Sequence, residues 1–235
     1  MRYFHYSKNI LSSILFIFPL LLLYEFISFF KFNNADITIR NTADTIFRDF
    51  IKLFTENVFL VQSIVILLFL VSYYIYNKND RHDHEFNIKY ISFMYIEGFF
   101  YGLLLVFFLN GLNVFQRLDV FQYNDYIISF YLCLGAGIWE EILFRLIIFN
   151  LFIYLTSIFL KNPFVYLLLS IFISSFIFSL FHYIGSFSDT FTLYSFIIRF
   201  VGGVYLAVIY YYRGLGIAMF SHFIYDFLIV SYPLI

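Results

Sequence analysis

The sequence is poor in charged residues and in cysteine. Only 12% of its 235 residues are Asp, Glu, Lys or Arg, whereas soluble domains carry about a quarter. Hydrophobic residues make up 63% of the chain, and its mean hydropathy is +0.87. The net charge of −1 indicates no nucleic-acid partner. The single cysteine, Cys133, excludes an intramolecular disulfide and a cysteine-based zinc cluster. The chain is therefore expected to lie mainly in a lipid bilayer.

Seven apolar runs predict an all-α, polytopic transmembrane bundle of about seven spanning helices. In hydrocarbon every backbone polar group must be satisfied internally, and continuous rather than alternating hydrophobicity favours helices over a barrel. The first run is too long for a signal peptide and lacks a small-residue cleavage site, so it is expected to span. The predicted spans are residues 10–30, 58–76, 91–109, 126–158, 164–182, 192–211 and 215–232.

One amphipathic interfacial helix is predicted between the first two spans, within about residues 31–57. Its apolar face consists of Ile46, Phe47, Phe50, Ile51 and Phe54, and its polar face of Arg48, Asp49, Lys52 and Glu56. We divide the chain into N-terminal spans, residues 1–125, and a core, residues 126–232. The distribution of Lys and Arg outside the spans modestly favours a cytoplasmic N-terminus.

Ionisable residues inside the predicted spans are the most informative positions. Each costs about 2.5–3.5 kcal/mol at the centre of a bilayer by insertion measurements, so such residues usually face a partner or a wet cavity. Three clusters occur: Glu140, Glu141 and Arg145 in the fourth span, Phe178 and His182 at the end of the fifth, and His222 and Asp226 in the seventh.

Helical spacing gives each cluster an expected geometry. Glu141 and Arg145 are four residues apart and can pair on one face, while Glu140 is rotated by about 100° and can point elsewhere. His222 and Asp226 are also four apart, so the carboxylate can orient the imidazole. If the three helices converge, the Glu140 carboxylate and the two histidines would share one polar cavity.

Each feature also has a structural explanation. The Glu141 and Arg145 pair is often a structural ion pair, and an isolated histidine in a membrane is often an interhelical hydrogen-bonding residue. Glu25 and Glu97 lack a charged partner nearby in sequence, which favours a helix-end or interhelical contact. Proton relays use the same residue types, so the clusters alone do not define the chemistry.

The three motifs together resemble those of the CPBP family, which includes type II CAAX prenyl proteases and bacterial Abi-type membrane proteins. That family carries Glu-Glu-x-x-x-Arg, then Phe-x-x-x-His, then His-x-x-x-Asn or Asp, each on its own membrane helix. Residues 140–145, 178–182 and 222–226 match the three patterns in this order. Three ordered patterns are far more specific than one.

The resemblance implies residue roles. Glu140, assisted by His182, activates a water, and His222 with Asp226 stabilises the oxyanion; Glu141, Arg145 and Phe178 support the site. A carboxylate cannot donate to an oxyanion unless protonated, so Asp226 is better assigned to orienting His222. A zinc ion held by Glu140, His182 and His222 is the metalloprotease alternative. The cofactor prediction is thus none or zinc, undecided.

We expect an intramembrane endopeptidase of the CAAX type in a bacterial cytoplasmic membrane. It would act on a peptide or membrane-protein substrate from within the lipid bilayer, and its oligomeric state is undetermined. Two other classes stay open: a non-catalytic immunity or scaffold protein of the same fold, and a small proton-coupled transporter. Transporters of this kind usually show internal repeats or broken helices, and the sequence shows neither.

Overall fold

A computed structural model of the chain describes residues 2–32, 39–55, 87–110, 126–184 and 189–231, with isolated positions 57, 64, 68 and 71. In these ranges every regular element is a helix, which confirms the predicted all-α class. The helices are α1 (Arg2–Lys8), α2 (Ile10–Phe32), α3 (Thr42–Lys52), α4 (Ile88–Asn110), α5 (Tyr126–Phe159), α6 (Pro163–Phe181), α7 (Leu193–Arg213) and α8 (Leu215–Ser231).

Five of the described helices, α2, α4, α5, α6 and α7, are long and apolar enough to cross a membrane. They agree with five of the seven predicted spans. The predicted span at residues 58–76 lies almost entirely outside the described residues. Helix α8 is apolar but has only 17 residues, fewer than the roughly 20 that a perpendicular crossing needs. The polytopic bundle is confirmed, while the number seven stays a prediction.

Helix α8 lies at the centre of the described bundle. It packs against α2, α4, α5 and α7, and nearly all residues from Leu215 to Ile224 are buried. Glycines allow the close approach of α4: a methyl group added at Gly102 would lie 2.7 Å from Cβ of Ile224, and one at Gly98 would lie 3.0 Å from the Phe220 ring. Small residues commonly permit such packing between membrane helices.

Helix α3 forms within the segment predicted to be amphipathic, but its polar side is partly turned inward. Ile46, Phe50 and Phe54 are exposed as expected, whereas Arg48 is buried. The reason is a pair of carboxylates: Arg48 Nε donates to Asp44 at 2.6 Å, and Arg48 also binds Glu25 of α2. Arg48, which the sequence assigns to the polar face of the amphipathic helix, therefore lies against the protein and not at its surface. The predicted polar residue Glu56 lies outside the described residues.

The two isolated carboxylates of the sequence both have cationic partners. Glu25 accepts from Arg40 at 3.2 Å and contacts Arg48. Glu97 of α4 binds Arg213 at the end of α7. These are the interhelical contacts that the sequence favours, and each balances a charge within the membrane-embedded part of the protein.

Candidate active site

Helix α5 carries the two adjacent glutamates on an unusual stretch of backbone. Residues Ala136–Glu140 and Ile142–Phe149 are π-helical, a local widening that is often found at functional sites. Both Glu140 and Glu141 are buried. Their carboxylates nevertheless point to different partners, so the two residues have separate roles.

Glu141 belongs to a buried ionic cluster. Its Oε2 lies 3.1 Å from Nε of Arg145, in agreement with the predicted pair. The Arg145 guanidinium also donates from Nη2 to the Gly203 carbonyl of α7 at 3.3 Å and lies 4.7 Å from the Phe178 ring centre. Because neither member of the pair is accessible to solvent, each depends on the other for its charge balance.

His222 lies between two carboxylates. Its Nδ1 is 2.9 Å from Glu141 Oε1, and its Nε2 is 3.4 Å from Asp226 Oδ2. The sequence predicts the contact with Asp226, but the shorter contact is with Glu141. A neutral imidazole carries one N–H and can donate to one of these carboxylates, whereas an imidazolium can donate to both. The arrangement therefore favours the cationic form of His222.

His182 follows the last residue of α6 and faces Glu140. Its Nδ1 lies 3.0 Å from the Phe178 carbonyl. A carbonyl oxygen only accepts, so Nδ1 carries the proton and Nε2 of the neutral ring is left as an acceptor. That Nε2 is 3.9 Å from Glu140 Oε2, a separation too long for a direct hydrogen bond.

One cavity of about 300 Å³ joins these groups. All four residues predicted to be catalytic line it, namely Glu140, His182, His222 and Asp226. Phe178 also lines it, and its ring contacts both histidine rings, with ring centres 5.0 and 5.8 Å apart. Glu141 and Arg145 lie behind this wall. The structure thus brings all seven predicted site residues together. Five of them line the cavity, and Glu141 and Arg145 lie directly behind it.

Arg199 and Asn41 are among the polar residues at this cavity that sequence reasoning missed. Arg199 of α7 lines it, donates to the Tyr183 hydroxyl at 3.0 Å and binds Asp189; an arginine inside a predicted span is itself a signal. Asn41 donates from Nδ2 to Glu140 Oε1 at 2.8 Å. A helix-capping pattern before α3 marks Asn41 as an N-cap, but nothing local links it to Glu140.

The described residues contain no assembled set of ligands for the zinc ion of the metalloprotease alternative. Throughout the part of the chain that is described, no three His, Cys, Asp or Glu side chains are grouped so that they could hold a metal ion. The residues present do not fit a metal in this arrangement.

The fold and the cavity define an integral membrane protein with buried carboxylates and histidines at the junction of its helices. Residues 122–228 match the family model described as type II CAAX prenyl endopeptidase, Rce1-like. This match supports the predicted resemblance over that part of the chain and, at the family level, a CAAX-type protease. It spans all seven predicted site residues but not Asn41. Neither the curated proteins nor the solved structures contain a match to the chain.

Proposed function

We propose that the protein is an intramembrane endopeptidase in which Glu140, assisted by His182, activates the water that hydrolyses a peptide bond. The observation that carries this proposal is the facing pair of Glu140 Oε2 and His182 Nε2, 3.9 Å apart at the wall of the cavity. Glu140 Oε2 has no hydrogen-bond partner among the described protein atoms. This oxygen is therefore free to accept a proton from the water that attacks the peptide bond.

Both facing atoms are acceptors, and this is the arrangement that a nucleophilic water needs. Two hydrogen bonds of about 2.8 Å that leave one oxygen at a tetrahedral angle span about 4.5 Å. The observed 3.9 Å is somewhat shorter than this separation, so the two side chains would move slightly apart to admit the water. A water that donates to both atoms directs its lone pairs away from them. Such a water is oriented for attack on a carbonyl carbon in the cavity.

The reaction then follows from the charges. The water oxygen bonds to the peptide carbonyl carbon while Glu140 takes a proton, and the carbonyl oxygen becomes an oxyanion. The C–N bond breaks as Glu140 returns this proton to the leaving amine. His222 is the group we assign to the oxyanion, because it lines the cavity and Glu141 holds its Nδ1, which leaves Nε2, 3.4 Å from Asp226, as the nitrogen that can donate. A preorganised cation beside the developing charge is commonly a large catalytic contribution.

The substrate class follows from the rest of the cavity wall. Away from the ionisable groups the lining is largely aliphatic and includes Leu105, Leu109, Ile198 and Leu206. A peptide or the membrane-proximal part of a membrane protein suits this lining. We place the protein in a bacterial cytoplasmic membrane, where prenylated CAAX tails are absent, so the substrate is expected to be of another kind.

The test is cleavage of a quenched-fluorescent peptide library by the detergent-purified protein. We expect turnover by the wild type and its loss in Glu140→Gln, with an unchanged thermal unfolding transition. The matched control is Asp49→Asn, which alters an exposed carboxylate on α3. Equal turnover by wild type and Glu140→Gln would contradict the proposal. Loss of wild-type activity with a zinc chelator would instead favour metal chemistry, and proton-coupled solute uptake by liposomes would favour a transporter.

A further inference from the structure

The segment between α2 and α3 contributes a polar side chain to the candidate catalytic carboxylate. Asn41 Nδ2 donates to Glu140 Oε1 at 2.8 Å. This residue lies 99 positions before Glu140 and outside the range, 122–228, that matches the protease family. The site is therefore completed by a part of the chain that the family match does not include.

The orientation of the Asn41 amide is fixed by its own helix. Asn41 is the N-cap of α3, with extended backbone, and its Oδ1 accepts from the Ala43 N–H at 2.9 Å. Because the amide oxygen is committed to this capping bond, the NH₂ group must point the opposite way, toward Glu140. A single side chain thus starts a helix and binds the carboxylate.

The backbone on either side of Asn41 is held by buried ion pairs. Arg40 contacts Asp44 at 2.9 Å and Glu25 at 3.2 Å, and Tyr24 donates to Asp44 at 2.9 Å. Although burial opposes the charged form, Glu25 and Asp44 raise the pKa of Arg40 above its ordinary value. Arg40 therefore stays cationic, and the network fixes the segment to α2.

Helix α5 is shaped to receive this segment. A methyl group added at Gly135 would lie 2.7 Å from the Tyr24 ring and 3.2 Å from Asn41 Cβ. The Tyr24 ring in turn stacks on Tyr131 of α5, with centres 4.5 Å apart and planes inclined by 7°. Only glycine at position 135 leaves room for both contacts, so Asn41 is kept within reach of Glu140.

We propose that Asn41 is a positioning residue of the peptidase site, which fixes Glu140 with Oε1 bound and Oε2 directed at His182. This inference rests on the proposed function for its catalytic consequence, but the contact itself does not. A hydrogen bond to a carboxylate also favours its ionised form. Asn41 therefore does two things for a general base: it sets the direction of the free oxygen and it helps to keep that oxygen deprotonated.

The ionisation of Glu140 depends on other charges besides Asn41. Glu141 and Arg145 lie on the same helix, and His182, His222 and Asp226 face it from α6 and α8. Arg40 and Arg199 also line the cavity. A useful variant must leave all of these unchanged. Asn41→Ser meets this requirement because serine is a good N-cap that is too short to reach Glu140.

The matched control is Asn162→Ser. Asn162 is the N-cap of α6, where its Oδ1 accepts from the Phe164 N–H at 3.0 Å, and it does not line the cavity. Both substitutions replace a capping asparagine by serine, but only one removes a donor to Glu140. Asn41→Asp is a third variant, which keeps the cap and places a second negative charge beside the carboxylate.

The first measurement is an infrared titration that needs no substrate. The carboxylic C=O band of Glu140 is identified by its absence in Glu140→Gln, and its appearance is followed as the pH falls. We expect the midpoint to move up by about 1 pH unit or more in Asn41→Ser, further in Asn41→Asp, and not in Asn162→Ser. A midpoint in Asn41→Ser equal to that of the wild type would overturn the proposal.

The second measurement is peptide cleavage by the same purified proteins. We expect kcat to fall about 10-fold in Asn41→Ser with KM little changed, and the acid limb of the rate profile to move to higher pH. Full activity of Asn41→Ser with an unmoved acid limb would overturn the catalytic part of the proposal. If the infrared midpoint moves while no protein, wild type included, cleaves any peptide, the proposed function fails and the assignment of Asn41 to Glu140 stands.

Discussion

At the residue scale, two neighbouring carboxylates on α5 differ because adjacent helical residues point in different directions. Glu141 is directed to Arg145 and His222, so its charge is balanced inside the bundle. Glu140 is directed to the cavity, where one oxygen is bound by Asn41 and the other faces His182. The change of direction between two adjacent helical residues is sufficient to separate a carboxylate that is balanced inside the bundle from one that faces the cavity.

Removal of the Arg145 charge should destabilise the protein strongly. In Arg145→Gln the Glu141 carboxylate stays fully buried without its guanidinium, and breaking a buried pair in this way costs about 3–5 kcal/mol. The double variant Glu141→Gln with Arg145→Gln should lose less, because no uncompensated charge remains. Unfolding in detergent, monitored by circular dichroism, measures the stability of both variants. A single variant as stable as the wild type would show that the pair contributes little.

The cleavage rate should fall as the pH is lowered. Glu140 must be ionised to accept a proton from water, so protonation on the acid side removes the base. The expected profile rises with pH along its acid limb, and the exposed Asp49→Asn variant should show the same limb as the wild type. A flat profile across that range in a protein with measurable turnover would count against Glu140 as the base.

At the element scale, the site depends on how closely α5, α6, α7 and α8 approach one another. Gly203 of α7 lies against α6, and its carbonyl accepts from Arg145. Phe178 of α6 lies between Arg145 and the two histidines. The Gly203 carbonyl and the Phe178 ring therefore link the positions of α5, α6, α7 and α8 at the site.

Two neighbouring glycines of α7 should respond differently to alanine. At Gly203 an added methyl group would lie 3.0 Å from the Phe178 ring and 3.1 Å from Ser175 Cβ, so Gly203→Ala should cost about 1–3 kcal/mol. At Gly202 the nearest atom is a Leu109 methyl at 3.9 Å. Gly202→Ala should therefore be neutral or stabilising by up to about 1 kcal/mol. Thermal unfolding of the two variants compares them directly, and equal transitions would contradict this close packing.

At the scale of the whole molecule, the described helices alternate between two sides. Tyr6 of α1 contacts Tyr90 near the start of α4, with ring centres 5.3 Å apart, and Lys8 lies 5.5 Å from the Tyr211 ring near the end of α7. The starts of α2 and α4 and the end of α7 therefore share one side. The cavity residue His182, at the end of α6, lies toward the other.

Cysteine labelling should reveal this arrangement in membranes. In a Cys133→Ala background, Lys8→Cys and Lys161→Cys place thiols at exposed positions on the side of the α7 end, and Thr190→Cys places one on the opposite side. With a cytoplasmic N-terminus, a membrane-impermeant reagent should label Thr190→Cys in intact cells and the other two only after lysis. Labelling of Lys8→Cys and Lys161→Cys from opposite sides would contradict the alternation.

The sequence by itself determined the helical class, the membrane setting and the seven residues of the three motifs. These properties follow from local information: an apolar run of sufficient length must be helical in lipid, and ionisable residues within such runs are costly enough to stand out. The pair formed by Glu141 and Arg145 was also predictable, because residues four apart share one face of a helix.

The tertiary structure decided which groups meet across the bundle. The bond from Asn41 to Glu140 joins residues 99 positions apart, and the contact of Glu141 with His222 joins residues 81 apart. Arg48 turned inward because the Glu25 carboxylate on another helix neutralises it. Such contacts depend on helix packing and on the burial cost of each charge. Helix packing and burial cost both depend on residues far away in the sequence, so the neighbouring residues do not reveal these contacts.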